Sequence, residues 1–320
     1  FDPLTGNSSS QGGNTFTSEF SSALMDIAER RDDVVAITAA MPGSTGLLPF
    51  QQRYPERFFD TGIAEQHALT SAAGMARAGL RPFVAVYSTF LARGFDQVMY
   101  DIGLHALPVV ICIDRAGITG PDGSSHHGVH DIAMYTRVPG MTIFAPSSLQ
   151  ELPIMLNQAL EIEDGPVAIR WPRGSATESE DVGKGMNARL VHEGQDVAIL
   201  AAGKMLAAAS TAANLLEEEG IDAALWDPRV LKPIDQEMIR SIIDFPLVVT
   251  IEDGTRLGGF GSLVADVLQR RSGPIPRLLQ LGTPDDYLPH GTDSELHSEL
   301  GLDASGIASE IVKAIKSNQR

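Results

Sequence analysis

The feature that most constrains the fold is a regular alternation of short, fully apolar runs with longer amphipathic stretches. Residues 109–113 (VVICI) and 197–200 (VAIL) contain no charged or hydroxyl side chain, which is typical of strands buried on both faces of a sheet. Stretches such as 64–78 carry small apolar residues at helical spacing. Because strands that alternate with helices form right-handed crossover units, the sequence predicts an α/β fold with parallel sheets.

Two such units follow one another along the chain. With 320 residues, the chain is long enough for two domains of ordinary size. Residues 174–188 are polar and nearly devoid of large apolar side chains, so we interpret them as a linker. We predict two consecutive three-layer α/β units with mainly parallel sheets, the first over 15–173 and the second over 189–320. Residues 1–14 are expected to be a linker-like segment.

The charge balance argues against several classes of partner. The chain carries 41 Asp and Glu against 24 Lys and Arg, and its formal net charge of -17 would repel nucleic acid and anionic membrane surfaces alike. No apolar run approaches the roughly 18 residues of a membrane-spanning helix. The single cysteine, Cys112, lies inside an apolar run and is expected to be a core thiol. These features predict a soluble, cytoplasmic protein that binds neither nucleic acid nor a membrane.

Charged and aromatic side chains gather at the expected carboxyl ends of the first unit's strands, where open parallel sheets bind ligands. Glu65 opens the helix over 64–78. A glutamate in a first helical turn commonly just complements the helix dipole, but the apolar Ile63 beside it also favours a partly desolvated carboxylate suited to proton chemistry. Phe90 and Arg93 lie three residues apart and share a helical face. An aromatic residue there is often part of the core, although the arginine favours a flat ligand with an anionic group.

The loop over 114–128 is too rich in glycine and polar residues to be buried structure, and such loops often carry function. Its side chains Arg115, Asp122 and His126 are suited to an anion or to sugar hydroxyls. Arg170 ends the last strand of the first unit and adds another guanidinium, whose fork of donors fits phosphate geometry. We therefore expect an anionic ligand at this edge of the sheet.

The histidines near this loop also admit a metal-binding interpretation. His126 and His127, together with His130 and Asp131, are residue types that bind transition metals. Adjacent histidines diverge on most backbones, however, and no cysteine or glutamate completes a familiar ligand spacing. The sequence therefore favours the anion site, and we assign no metal ligand.

Four strings in this order carry a family resemblance: GIAEQHA at 62–68, YSTFLAR at 87–93, DRAGITGPDGSSHHG at 114–128 and RWPRG at 170–174. Together they resemble the pyrimidine-binding domain of the 1-deoxy-D-xylulose-5-phosphate synthase family, which are thiamine-diphosphate enzymes of the transketolase type. Four later strings are similar to the carboxyl-terminal domain of that family: LKPID at 231–235, GGFGS at 258–262, PHGT at 289–292 and GLDASGI at 301–307. The resemblance covers nearly the whole chain.

The resemblance implies a role for each matching residue. Glu65 matches the glutamate that hydrogen-bonds the aminopyrimidine of thiamine diphosphate and promotes proton removal from thiazolium C2. Phe90 matches the aromatic residue that stacks on the pyrimidine, with Ile63 and Arg93 as further cofactor contacts. The residues that match the channel of the acceptor, glyceraldehyde 3-phosphate, are Tyr87, Arg93, Arg115, Asp122, His126 and Arg170. We name Glu65 and His126 as the candidate catalytic residues.

The implied reaction decarboxylates pyruvate and joins the remaining two carbons to glyceraldehyde 3-phosphate, for isoprenoid precursor synthesis. Such enzymes hold the cofactor diphosphate through Mg²⁺ at a Gly-Asp-Gly motif with a downstream Asn, a hard-oxygen site. Neither PDG at 121–123 nor EDG at 252–254 supplies that motif. We therefore expect the carboxyl-terminal portion or one subunit of a larger enzyme, inactive without an amino-terminal diphosphate-binding domain or subunit. A homodimer or a heterotetramer is the expected assembly.

Two alternatives remain open at this point. One is a subunit of a split transketolase-like enzyme that uses another donor or acceptor. The other is a non-catalytic paralogue kept for assembly, against which the intact Glu65, Phe90 and Arg93 argue. The second unit shows no catalytic constellation, and we assign it to packing and dimer contacts.

Overall fold

The computed structural model describes residues 14–174 and 177–317, which form two sheets flanked by helices. The strands, in chain order, are β1 (Val34–Thr38), β2 (Phe58–Asp60), β3 (Arg81–Tyr87), β4 (Val110–Asp114), β5 (Thr142–Phe144), β6 (Val167–Arg170), β7 (Arg189–His192), β8 (Val197–Ala201), β9 (Ala223–Asp227), β10 (Val230–Lys232), β11 (Leu247–Thr255) and β12 (Arg277–Thr283). The first sheet has the order β10-β5-β6-β4-β3-β1-β2, and the second has the order β12-β11-β8-β9-β7. Within these sheets the pairings are parallel except those of β10 and β7. The predicted α/β class with two mainly parallel sheets is confirmed.

Helices alternate with these strands and cover both faces of the sheets. They are α1 (Phe16–Arg30), α2 (Leu48–Arg53), α3 (Glu65–Arg77), α4 (Ser88–Leu91), α5 (Phe95–Gln97), α6 (Asp131–Tyr135), α7 (Glu151–Glu161), α8 (Met205–Glu218), α9 (Gln236–Ile242), α10 (Phe260–Gln269), α11 (Asp293–Glu299) and α12 (Ala304–Ser317). A capping box starts α1, because the Thr15 hydroxyl accepts a hydrogen bond from the Ser18 amide at 3.1 Å. Within the described part of the chain, no helix combines the length and the apolar character needed to cross a bilayer.

Side chains of the first sheet alternate between two apolar layers. Val84 and Val86 of β3 pack in the same cluster as α3, whereas Phe83 and Ala85 pack in the cluster of α1 and α7. Cys112 of β4 lies in the second cluster and is fully buried, so the predicted core thiol is confirmed. Burial raises the pKa of this thiol well above its ordinary value.

The second sheet packs α8 and α12 in one apolar cluster, and α9 and α10 belong to another. Met238 of α9 and Phe260 of α10 share that other cluster with Ala68 of α3 and Tyr135 of α6. The apolar core is therefore continuous between the two units.

Strand β10 departs from the predicted division of the chain. Its residues fall within the predicted second unit, 189–320, but they form the edge of the first sheet, where Val230 pairs with Phe144. Lys232 Nζ donates to two carbonyl oxygens of the segment between α6 and β5, at 2.8 and 2.6 Å. These bonds hold a strand from late in the chain against a sheet formed early in it.

The stretch from 88 to 103, where Phe90 and Arg93 were expected to share a helical face, forms several short helical pieces. Helices α4 and α5 are separated by a 3₁₀ turn, Ala92–Gly94, and a π-helical turn follows at Val98–Gly103. A Cβ on Gly94 would lie 2.3 Å from Cδ1 of the buried Leu69, so this glycine lets the chain pass close to α3. Close packing against α3 thus accompanies the interruption.

Candidate active site

Glu65 is the first residue of α3, and a tight turn after β2 places it there. Gly62 adopts a left-handed φ of 68°, and the Asp60 carboxylate accepts hydrogen bonds from the amides of Gly62 and Ala40 at 2.9 and 2.7 Å. Glu65 is only 3% exposed, whereas Ile63 is 78% exposed. The turn therefore presents an apolar side chain at the surface next to a buried carboxylate.

Arg93 is the cationic partner of this carboxylate. Its Nη1 donates to Glu65 Oε2 at 3.1 Å, and its side chain is 55% exposed. Because solvent screens a pair with such an exposed member, the contact adds little stability. The contact instead orients the Glu65 carboxylate, because the guanidinium holds one of its two oxygens.

An aromatic cluster lies at the carboxyl ends of β3 and β4, and we define it as Tyr87, Phe90, Arg115 and His126. The Tyr87 and Phe90 rings stack with centroids 5.6 Å apart and planes 14° apart. The His126 and Phe90 rings form a T-shaped pair, with centroids 5.5 Å apart and planes at 78°. The Arg115 Cζ atom lies 4.0 Å from the centroid of Tyr87. The structure thus brings together four residues that two separate sequence motifs, at 87–93 and 114–128, supplied.

The two adjacent histidines have different surroundings. His126 Nδ1 lies 2.9 Å from Ser125 Oγ. His127 Nδ1 accepts from the Thr119 amide at 3.1 Å, and its Nε2 lies 3.0 Å from the Pro289 carbonyl oxygen. Because an amide donates and a carbonyl accepts, His127 carries its proton on Nε2. In residues 14–174 and 177–317, no group of three or more His, Cys, Asp or Glu is arranged to hold a metal ion.

Asp122 and Arg170, the other two predicted channel residues, have protein partners. Asp122 Oδ1 accepts from Arg173 Nη1 at 2.7 Å, and both side chains are partly exposed. Arg170 is buried, with Nε 2.7 Å from Asp131 Oδ2 and Nη2 3.1 Å from the Asp253 carbonyl oxygen. The Arg170 guanidinium therefore faces protein acceptors rather than an open site.

Asp114 and Glu252 are two of the buried carboxyl groups that the sequence analysis did not single out. Asp114 ends β4 and accepts from Thr17 Oγ1 at 2.8 Å, and burial raises its pKa to about 6. Glu252 of β11 accepts from the amides of Phe260 and Gly261, both at 2.9 Å, and burial raises its pKa to about 7. In each case an acidic residue directly follows an apolar strand sequence, which is the signal that could have found it.

Two domain families match the chain. Residues 14–178 match the transketolase pyrimidine-binding domain, and residues 186–307 match the transketolase C-terminal domain. The chain therefore belongs to the transketolase family and comprises its pyrimidine-binding and C-terminal domains.

Curated proteins named 1-deoxy-D-xylulose-5-phosphate synthase are similar to nearly the whole chain. The protein from Rhodococcus jostii is 43% identical over 315 residues, which are 97% of this chain and 48% of the relative. The protein from Chlorobium phaeovibrioides is 47% identical over 322 residues, which are 97% of this chain and 50% of the relative. The chain thus spans about half the length of the curated relatives it matches.

Two solved structures are also similar. One is a split-gene transketolase described as an inactive beta4 tetramer, with a TM-score of 0.84 and 34% identity, covering 95% of this chain and 99% of that one. The other is a transketolase variant from Pichia stipitis, with a TM-score of 0.81 and 16% identity, covering 95% of this chain and 46% of that one. At 16% identity the second likeness concerns the fold alone.

The residues around Glu65 fit the pyrimidine ring that this domain type binds. The buried Glu65 carboxylate is suited to accept a hydrogen bond from an N–H of the aminopyrimidine, and the Phe90 ring offers a face for stacking. The exposed Ile63 offers an apolar contact beside them. These three side chains thus fit a thiamine-diphosphate cofactor.

Proposed function

We propose that this chain provides the pyrimidine-binding and carboxyl-terminal domains of a cytoplasmic 1-deoxy-D-xylulose-5-phosphate synthase. The enzyme condenses pyruvate, with loss of CO₂, and glyceraldehyde 3-phosphate for isoprenoid precursor synthesis. The observation that carries the proposal is the buried Glu65 at the start of α3, oriented by Arg93 at 3.1 Å and accompanied by the aromatic cluster. Relatives of that name at 43 to 47% identity support the choice of substrates.

Thiamine diphosphate, when bound, supplies the electron sink for decarboxylation and carbon–carbon bond formation. Glu65 accepts a hydrogen bond from the aminopyrimidine and so controls where that ring holds its proton. Arg93 keeps the carboxylate oriented from the solvent side. Phe90 stacks on the pyrimidine and Ile63 covers it, which excludes water from the ring.

The acceptor side of the site uses the remaining residues. Arg115, held over Tyr87, and Arg93 offer positive charge to pyruvate and to the acceptor phosphate in a chain of formal net charge -17. His126, fixed by Ser125, moves a proton at the acceptor carbonyl oxygen. Asp122 and Arg170 act through their protein partners and hold the walls of the channel.

The diphosphate and Mg²⁺ belong, in this proposal, to an amino-terminal domain or partner subunit. The half-length coverage of the curated relatives and the similarity to a split-gene transketolase support such a partner. The assembly is then a homodimer of complete chains or a heterotetramer of two kinds of subunit.

A second candidate is a subunit of a split transketolase-like enzyme with another donor or acceptor. The 34% identical split-gene transketolase, matched over 99% of its chain, favours this alternative. Product analysis of the complete enzyme with pyruvate, or instead with a ketose phosphate donor, separates the two. A non-catalytic paralogue would give no product with either donor.

The test of the proposed function is Glu65→Gln in the complete enzyme. We expect exchange of the cofactor C2 proton to fall by about 100-fold or more, because a lost general acid–base group costs about 10²- to 10⁴-fold. Circular dichroism and thermal unfolding should change little, since glutamine keeps the volume of the side chain.

Glu56→Gln is the matched control, because Glu56 is an exposed glutamate in the 3₁₀ turn Pro55–Arg57 just before β2. Its exchange rate should equal that of the wild type. If the Glu65 variant exchanges at the wild-type rate, Glu65 has no part in the chemistry.

A further inference from the structure

A loop of the first unit carries three candidate site residues, and we define it as the site loop, residues 115–128. It holds Arg115, Asp122 and His126. The backbones of Gly117 and Gly128 close its base with two mutual hydrogen bonds of 2.8 and 2.7 Å. The loop begins where β4 ends, so it lies at the carboxyl ends of the strands of the first sheet.

The second unit holds this loop at several points along its length. The three hydrogen bonds run from the Ile118 amide to Asp253 Oδ2 at 3.1 Å, from Ser124 Oγ to the Leu288 carbonyl at 2.6 Å, and from His127 Nε2 to the Pro289 carbonyl at 3.0 Å. The acceptors are one side chain and two backbone carbonyls. Only the Asp253 bond therefore depends on the identity of a second-unit side chain.

Two glycines let the loop approach the second unit this closely. Gly117, with φ of 86°, would place a Cβ 1.8 Å from Asp253 Oδ2. Gly120, with φ of 45°, would place a Cβ 2.2 Å from Asp293 Oδ1. A side chain at either position would collide with a carboxylate of the second unit and would also strain the backbone.

Asp253 is held charged and in place by its own unit. It is 1% exposed, with Lys204 Nζ 2.6 Å from Oδ2 and His297 Nε2 3.3 Å from Oδ1. Burial opposes ionisation, but Lys204 and His297 more than offset it and hold the pKa of Asp253 below its ordinary range. The bond from Ile118 is therefore charge-assisted, and its acceptor has little freedom to move.

We propose that Asp253 is a positioning residue for the acceptor side of the active site. By fixing Ile118 it holds the site loop so that Arg115 stays over Tyr87 and His126 stays against Phe90. The inference rests on the proposed function, and it gives the second unit a part in substrate binding beyond packing and dimer contacts.

If Asp253 acts through the site loop, it affects acceptor binding but not proton transfer at the cofactor. Glu65 and Arg93 lie on α3 and the turn after α4, and the site loop supplies neither of them. Displacing the loop should therefore weaken acceptor binding and leave the cofactor proton chemistry in place. A general loss of folding would lower both together.

The test is Asp253→Asn in the complete enzyme. Because Asn offers Ile118 only a neutral acceptor and no longer pairs with Lys204, we expect the KM for glyceraldehyde 3-phosphate to rise about tenfold or more. Exchange of the cofactor C2 proton should stay at the wild-type rate. Hydrogen–deuterium exchange of the site-loop amides, which needs no activity, should become faster.

Glu252→Gln is the matched control, since Glu252 is the neighbouring buried carboxyl and its acceptor oxygens face α10 instead of the site loop. It should leave acceptor KM and loop exchange unchanged. Gly117→Ala is the second variant, because it displaces the loop while every second-unit charge remains, and it should reproduce the Asp253→Asn result.

The proposal is overturned if loop exchange and acceptor KM stay at wild-type values in both variants, or if acceptor KM and C2 exchange deteriorate equally. If the wild-type enzyme makes no 1-deoxyxylulose 5-phosphate, the proposed function fails. In that case, hydrogen–deuterium exchange of the site-loop amides in the same proteins still decides whether Asp253 holds the loop.

Discussion

At the scale of single residues, Asp114 shows how burial works against charge in this fold. Burial raises its pKa from 3.8 to about 6, although Thr17 and Arg115 favour the ionised form. The native state therefore binds more protons than the unfolded state between about pH 4 and pH 6, so stability falls as the pH rises through that window. Above it the contribution is constant.

Asp114→Asn should remove this pH dependence. Between pH 4 and pH 7 the wild type should lose up to about 3 kcal/mol of unfolding free energy that the variant does not lose. Urea unfolding at several pH values measures the difference, and exposed Asp26→Asn on α1 is the control. Parallel pH curves for the wild type and the Asp114 variant would show that the carboxyl titrates normally.

Sequence motifs located the residues around the site better than they located the supports of those residues. Glu65 and Phe90 stand in strings whose order and spacing are distinctive, so they could be proposed as site residues without coordinates. Asp253 could not, because its partner Ile118 lies 135 residues away and no local pattern links the two. Arg170 was predicted to bind an anion from its position at a strand end, and its pairing with the buried Asp131 was not evident because 39 residues separate the two.

At the scale of elements, the fully apolar runs gave reliable strands, since burial on both faces leaves no position for a polar side chain. The run at 109–113 corresponds to β4, and the run at 197–200 to β8. The broken helix after β3 was not predictable, because its interruption involves contact with α3. Gly94, in that interruption, lies where any Cβ would meet Leu69.

Gly94→Ala should therefore destabilise the protein. The methyl group would overpack the contact with α3 and lower the free energy of unfolding by about 1–3 kcal/mol. Gly74→Ala, in the last turn of α3 with no neighbouring atom within 4 Å of its added Cβ, is the matched control. It should raise the same quantity by about 0.5–1 kcal/mol. Denaturant unfolding checks the pair, and equal signs for the two substitutions would contradict the packing argument.

At the scale of the whole molecule, a polar contact accompanies the continuous apolar core between the units. Arg170 of the first sheet pairs with Asp131 and also donates to the Asp253 carbonyl at 3.1 Å. Burial opposes the charge on Arg170, but Asp131 offsets this and holds the pKa of the guanidinium above its ordinary value. The pair is thus a buried charge contact that touches both sheets.

Arg170→Met should unfold more easily than the wild type, because it leaves the Asp131 carboxylate buried without its cation. Removing one member of a buried pair costs about 3–5 kcal/mol. Thermal and urea unfolding measure the loss, and Arg240→Met, which removes an exposed arginine paired with Glu237, should change nothing measurable. If the Arg170 variant keeps its stability while acceptor KM rises, its guanidinium serves the substrate instead of the fold.

The edge position of β10 bears on how the chain is made. Strand β5 leaves the ribosome well before its partner β10, so an emerging chain that stops at the linker exposes β5 as an unpaired edge. Unpaired edges recruit strands from other chains and promote aggregation. The first sheet is therefore completed only during synthesis of the second unit, and a gene split between the two units would separate a sheet from its own border strand.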